Sequence, residues 1–99
     1  MRRAARTDGN HTSVVDALRK SGCLVISLAS VGKGCPDLLA CDQWGRLHLI
    51  EVKDGNAPAS QRELTKDQEK FHAVWSRSSF LHVVTSGAEA VACVRNAEA

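Results

Sequence analysis

The chain has 99 residues, enough for one domain that buries roughly two-thirds of the surface its unfolded form exposes. No run approaches the ~18 apolar residues of a membrane span, and no apolar stretch follows the arginines of MRRAARTDGNHT, so a cytosolic protein is expected. A net charge of +2 neither requires nor forbids a nucleic-acid partner, although Arg2, Arg3 and Arg6 crowd one end and could meet phosphates.

Residues 1–10 read as an arm outside the first element. TSVVDALRK (12–20) carries Val14, Val15 and Leu18 at helical spacing, with Thr12 or Ser13 able to cap its start and Gly22 to end it. CLVISLA (23–29) is a continuous apolar run rich in β-formers and predicts a buried strand. It delivers the chain into SVGKGCP (30–36), a glycine-punctuated loop in which Lys33 could approach a DNA backbone or simply stand exposed. That loop lacks the G-x-x-x-x-G-K-[ST] spacing of a nucleotide-binding loop, so no NTPase and no small-molecule cofactor is indicated.

Two more strands, about 37–42 and 47–53, flank Gln43-Trp44-Gly45, and the length of that turn decides which side chains meet. A two-residue turn sends Asp37 and Glu51 to opposite faces. A three-residue loop pairs residue 42 with 46 and sets Asp37 opposite Glu51; Gly45 supplies the positive φ such a loop commonly ends on, so this register is favoured. It puts Leu39, Cys41, Leu47 and Leu49 on the same face as Asp37, Glu51 and Lys53, a face otherwise built to be covered by helices. Trp44 at the turn is either a base-stacking or an interface aromatic.

DGNAPASQRE (54–63) reads as a mobile surface loop. TKDQEKFHAVWSR (65–77) reads as a helix with Phe71, Val74 and Trp75 in its apolar stripe, Trp75 in the core, His72 structural or at the surface, and capping-box spacing between Thr65 and Gln68. FLHVVTS (80–86) is a fourth strand, parallel to the third across the crossover helix, and Ser86 and Glu89 can cap a last helix bearing Ala90, Val91 and Val94. The order α-β-β-β-α-β-α predicts an α/β fold, a four-stranded mixed sheet flanked by helices. Four cysteines without a C-x-x-C pair favour free thiols over a poorly spaced zinc site at Cys35 and Cys41.

Two carboxylates meeting across a hairpin repel unless a cation or proton intervenes. Mg²⁺ is a natural occupant: Asp37, Glu51 and the backbone carbonyl of Val52 could hold it, with positions left for a phosphate and a water, and Lys53 could orient that water. The plainer alternative is an Asp37–Lys53 ion pair with a solvated Glu51, worth roughly 0 to 1 kcal/mol.

PDLL…EVK resembles the active-site signature of the PD-(D/E)XK nuclease superfamily. VVDALRKSGCLVISLASVGKGCPDLL, LIEVKDG and LTKDQEKFHAVW, in that order, resemble the small stand-alone VRR-NUC domains of bacteria and their phages, related to Holliday-junction resolvases, over residues 8–90. The resemblance implies a restriction-endonuclease-like core and Mg²⁺- or Mn²⁺-dependent endonuclease activity, often on branched or flapped DNA, by a homodimer. It implies metal ligation by Asp37 and Glu51, catalysis by Lys53, and a place for Gln68 near the active site, compatible with its capping role. Where many members carry a Glu or Gln at the first helix, this chain has Asn10 and His11, and His11 is either a metal or phosphate contact or an exposed residue. The alternative of another class is a DNA-binding module that keeps the fold without catalysis.

Overall fold

The structure, a computed structural model, describes residues 10–97. Its elements run α1 His11–Lys20, β1 Leu24–Ser27, β2 Leu38–Cys41, β3 Leu47–Val52, α2 Ala59–Arg62, α3 Lys66–Val74, β4 Leu81–Val84 and α4 Gly87–Asn96. The strands form one mixed sheet in the order β1-β2-β3-β4, antiparallel up to β3 and parallel between β3 and β4. Arg6 and the rest of the N-terminal arm up to residue 9 lie outside the described residues. Asn10, assigned to that arm, is instead anchored: its Nδ2 donates to the carbonyls of Lys53 (3.1 Å) and Thr85 (2.5 Å).

The hairpin register is the three-residue one. Cys41 pairs with Leu47 and Leu38 with Ile50, the Asp42 N–H donates to the Arg46 carbonyl at 2.9 Å, and Gly45 takes φ +81. Continued one step beyond the last pair, this register sets Asp37 across from Glu51.

Strand alternation then sorts two faces. On one, Val25, Leu38, Ala40, Ile50, Val52 and Val84 pack with Val14 and Leu18 of α1 and with Ala90 and Val94 of α4 to make the core. The other carries Leu39, Cys41, Leu47, Leu49, Glu51 and Lys53, and here the expectation of full cover by helices is corrected. Helix α3 flanks this side, yet Leu47 stays 59 % exposed and an open cleft of about 270 Å³ remains among Leu39, Leu47, Leu49, Trp75 and Phe80. Being an edge strand, β1 is buried on one face alone, with Leu24 76 % exposed and Ile26 57 % exposed.

Trp75 is likewise exposed rather than core, stacked on Phe71 with centroids 5.3 Å apart, because α3 ends at Val74 instead of reaching residue 77. The Ser76 hydroxyl bonds back to the Ala73 carbonyl at 3.0 Å and competes with continuation of the helix. The 54–63 connection is not all loop: Pro58, at φ −54, starts the single turn α2.

At the turn end of the core face lies a polar network with no counterpart in the sequence reading. Asp42 Oδ1 accepts from the N–H groups of Trp44 and Arg46, both at 2.9 Å, and Oδ2 accepts from Arg46 Nε at 2.6 Å. His48, fully buried, places Nε2 2.9 Å from Asp42 Oδ2 and Nδ1 3.0 Å from His82 Nε2. Arg46 also donates to the carbonyls of Val94 and Ala97, tying the end of α4 to the hairpin. Burial, with the charge of His48 behind it, pulls His82 down to about 4. An unfolded histidine holds its proton up to about 6.5, so the unfolded chain binds the extra proton between these values and stability falls as pH falls through that window. The urea midpoint is expected to drop between pH 7 and pH 4.5, and His82→Gln to flatten that drop; an equally steep fall in the variant would remove His82 as the cause.

Candidate active site

Asp37 stands just before β2, behind buried Pro36. Its backbone carbonyl accepts the Leu28 N–H at 2.6 Å, and its Oδ2 accepts the Val52 N–H at 2.8 Å. The carboxylate is thereby drawn across to the end of β3 with its second oxygen left over. Leu49 and Lys53 turn their N–H groups toward β4, donating to Phe80 and Val84. Val52, one residue out of phase with them, turns both its N–H and its carbonyl toward the Asp37 side.

Glu51 is 1 % exposed and Lys53 is 6 % exposed. Burying a charge costs several kcal/mol, and both side chains carry that cost at this end of β3. Lys53 Nζ donates to Gln68 Oε1 at 2.8 Å. The same Oε1 accepts the Thr65 N–H at 2.8 Å, while the Gln68 N–H donates to Thr65 Oγ1 at 3.2 Å, so the capping box that starts α3 also aims Gln68 at the lysine. The capping role and the site role of Gln68 coexist in one atom.

Two neighbours were undervalued in the sequence. Burial, and after it the charges of Glu51 and Asp37, push the Cys35 thiol up. Burial, and after it the charge of Lys53, pulls His72 below the ordinary imidazole range, and His72 Nε2 is buried without a hydrogen-bond partner. The available signals were the spacing of Cys35 two residues before Asp37 and of His72 one helical turn after Gln68.

The remaining candidates are placed as follows. Asn10 lies behind the backbone of Lys53 through the bond already given, with its Oδ1 buried and unpartnered, and His11 lines a cleft of about 280 Å³ with Val25 and Ser27. Lys33 is exposed at φ +57, between Gly32 and Gly34. Trp44 is 62 % exposed, with the Arg46 guanidinium 5.2 Å from its ring centroid.

Gly34 carries a strict constraint. A Cβ there would fall 2.2 Å from the Asp67 carbonyl oxygen, and its φ is +80. The loop bearing Lys33 and Cys35 is thus pressed backbone to backbone on the first turn of α3, where Gln68 begins. Gly34→Ala is expected to separate them, costing about 3 kcal/mol from left-handed strain and contact combined. A thermal melt within 1 °C of the parent would show that the contact yields freely.

Among the described residues no three His, Cys, Asp or Glu side chains cluster as a self-sufficient metal site, and all four cysteines are free thiols. The donors at Asp37, Glu51 and Val52 are hard oxygens, two of them carboxylate, which suits an Mg²⁺ or Mn²⁺ ion that keeps several waters rather than zinc. The buried carboxylate of Glu51 and the uncommitted oxygen of Asp37 fit such an ion.

The class these features define is a nuclease-like α/β domain, a four-stranded mixed sheet flanked by helices with a polar set at the sheet end. The chain is similar to a solved structure described as a VRR_NUC domain, at 25 % identity and a TM-score of 0.63, over 86 % of this chain and 89 % of that one, and this likeness supports a VRR-NUC domain. No protein-family model and no curated protein matches the chain.

Proposed function

We propose that this chain is a divalent-metal-dependent endonuclease that hydrolyses phosphodiester bonds in branched, flapped or four-way-junction DNA, and that it acts as a homodimer and a single domain. The reading rests above all on one observation: the Lys53 ammonium, buried on the strand face of the Glu51 carboxylate, is held by a glutamine fixed in a helix cap. A lysine kept only for solubility would not be enclosed in this way.

Asp37, Glu51 and the Val52 carbonyl would hold Mg²⁺ or Mn²⁺, which when bound lowers the pKa of a coordinated water and offsets charge growing on the phosphate oxygens. Asp37 is oriented by the Val52 N–H, so its free oxygen keeps a fixed direction. Lys53, steadied by Gln68, places a positive charge where the attacking water and the phosphate meet. Lys33 and Arg6 are the proposed contacts to the DNA backbone, and Asn10 and His11 the residues that complete the site from the first helix.

The dimer reading is supported by the uncovered sheet face. In the observed registers Leu24, Cys41 and Leu47 form one cross-strand row, and Ile26, Leu39, Leu49 and Leu81 the next, with Trp75 beside them. A second copy docked isologously would cover apolar surface on both molecules. In this reading, selectivity would come from DNA shape and from the spacing of two sites.

The test is cleavage of end-labelled linear, flapped and four-way-junction DNA with Mg²⁺, with Mn²⁺ and with a chelator, beside Lys53→Ala. Metal-dependent cleavage that the variant loses by 100-fold or more is the expected result. Tight binding of junctions that neither metal converts to cleavage would mean a non-catalytic DNA-binding module instead. A monomeric mass by light scattering at micromolar concentration would remove the dimer.

A further inference from the structure

His72 lies on α3 one i,i+4 step beyond Gln68, so both side chains leave the helix on the same face. Gln68 Oε1 already receives Lys53 Nζ at 2.8 Å. A lysine ammonium has three N–H donors and no acceptor, and this one is 6 % exposed, so solvent supplies little of what Gln68 leaves over. His72 Nε2 is a buried ring nitrogen with no hydrogen-bond partner in the protein. A buried nitrogen left unsatisfied forfeits its hydration without return, and Lys53, whose charge acts on His72, has N–H bonds to spare.

We infer that His72 is a positioning residue for Lys53: its imidazole, protonated on Nδ1, presents the Nε2 lone pair as a second acceptor to which the ammonium, held by Gln68 in this structure, turns when it works. The geometry that carries this is the orphaned Nε2 one turn above the residue that holds the lysine. The environment agrees with it, since burial and then the Lys53 charge both favour the uncharged ring an acceptor must be. An imidazole carrying its proton on Nε2 would bring a further donor to a group made only of donors. His72 touches neither the scissile bond nor a metal in this arrangement. It limits where the lysine can swing, and so acts on the chemical step through Lys53.

The inference deepens the nuclease reading and rests on it, but the two are separable by experiment. The first measurement needs no cleavage: the ring nitrogens of uniformly ¹⁵N-labelled full-length protein are recorded at neutral pH by long-range proton–nitrogen correlation, with His72 assigned by the signal lost in His72→Gln. A pyridine-type Nε2 and a pyrrole-type Nδ1 are expected. A pyrrole-type Nε2, with its proton attached, overturns the inference even if the protein cuts DNA. The second measurement is kinetic, on whichever DNA substrate the parent cleaves. His72→Leu is expected to lower kcat by roughly 10-fold with KM nearly unchanged, because one charge-assisted hydrogen bond is lost from a group acting in the transition state. His72→Gln, whose amide oxygen can reach a similar position, is expected to recover activity to within about 3-fold of the parent.

A purely structural histidine behaves otherwise. It would lower the melting temperature in both variants, and the glutamine would not restore rate. In a Lys53→Ala background His72→Leu should have no further effect on residual cleavage; a full additional 10-fold loss there would place His72 outside the lysine's unit and overturn the inference. Protein that cuts no DNA under any metal, yet shows the pyridine-type Nε2, overturns the nuclease reading and leaves the His72–Lys53 pairing standing.

Discussion

Glu51→Gln is expected to reduce metal-dependent cleavage by at least about 100-fold while leaving the melting temperature unchanged or slightly higher. The two outcomes share one cause. Glu51 is 1 % exposed at the end of β3, where a carboxylate is poorly solvated and faces Asp37 across the hairpin register. The charges of these two residues are strong enough locally to help push the Cys35 thiol up. Folding pays for such a charge, and the amide keeps the shape while removing it. Cleavage assays and thermal melts on the same preparation decide the matter. A variant that cuts within a few-fold of the parent removes Glu51 from the proposed chemistry; one that melts several degrees lower shows that the carboxylate is chiefly a structural partner.

The largest stability effect is expected away from the site, from Asp42→Ala. Both oxygens of this buried side chain are occupied, by the N–H groups of Trp44 and Arg46 and by Arg46 Nε and His48 Nε2. Burial by itself would raise the Asp42 pKa, but the bonds from His48, Arg46 and Trp44 outweigh it and hold the carboxyl well below the usual range. Truncation would strand buried His48 and loosen Arg46, which carries α4 through the carbonyls of Val94 and Ala97. Breaking a buried network of this kind costs about 3 to 5 kcal/mol, a large share of the roughly 5 to 15 kcal/mol that keeps a domain folded. Urea unfolding of Asp42→Ala and Asp42→Asn should show the alanine variant losing most of that amount and the asparagine variant less. A loss under about 1 kcal/mol for alanine would mean that the network is dispensable.

The hairpin was legible in the sequence because its register depends on few residues. Gly45 provides the left-handed position, the loop length follows, and the side-chain period of two carries Asp37 to Glu51 without tertiary information. The capping box was legible for the same reason: Thr65 and Gln68 are neighbours in the chain. What stayed hidden depends on contacts far apart in sequence. Leu39, Leu47 and Leu49 are as apolar as Leu38, Ile50 and Val52, so alternation defines two faces and cannot say which one α1 and α4 will cover. An aromatic is ordinarily drawn inside, but the end of α3 leaves Trp75 47 % exposed. His82 joins Asp42, at the hairpin turn, and His48 of β3 only after the parallel strand β4 has docked. His72 was discounted because a single histidine carries no pattern, and its significance comes from Lys53, which sits on another element.

The Oε1 atom of Gln68 serves two donors, one of which begins a helix and the other of which belongs to the candidate chemistry. Helix α3 has nine residues, none of them buried, so little besides its first turn and its contact with Gly34 keeps its start wound. Opening of that single turn requires far less free energy than unfolding the sheet. It would release the lysine while every strand remained paired. Activity lost on warming would then run ahead of the global melt, and the working temperature of the protein would be set by the fraying of one helical turn.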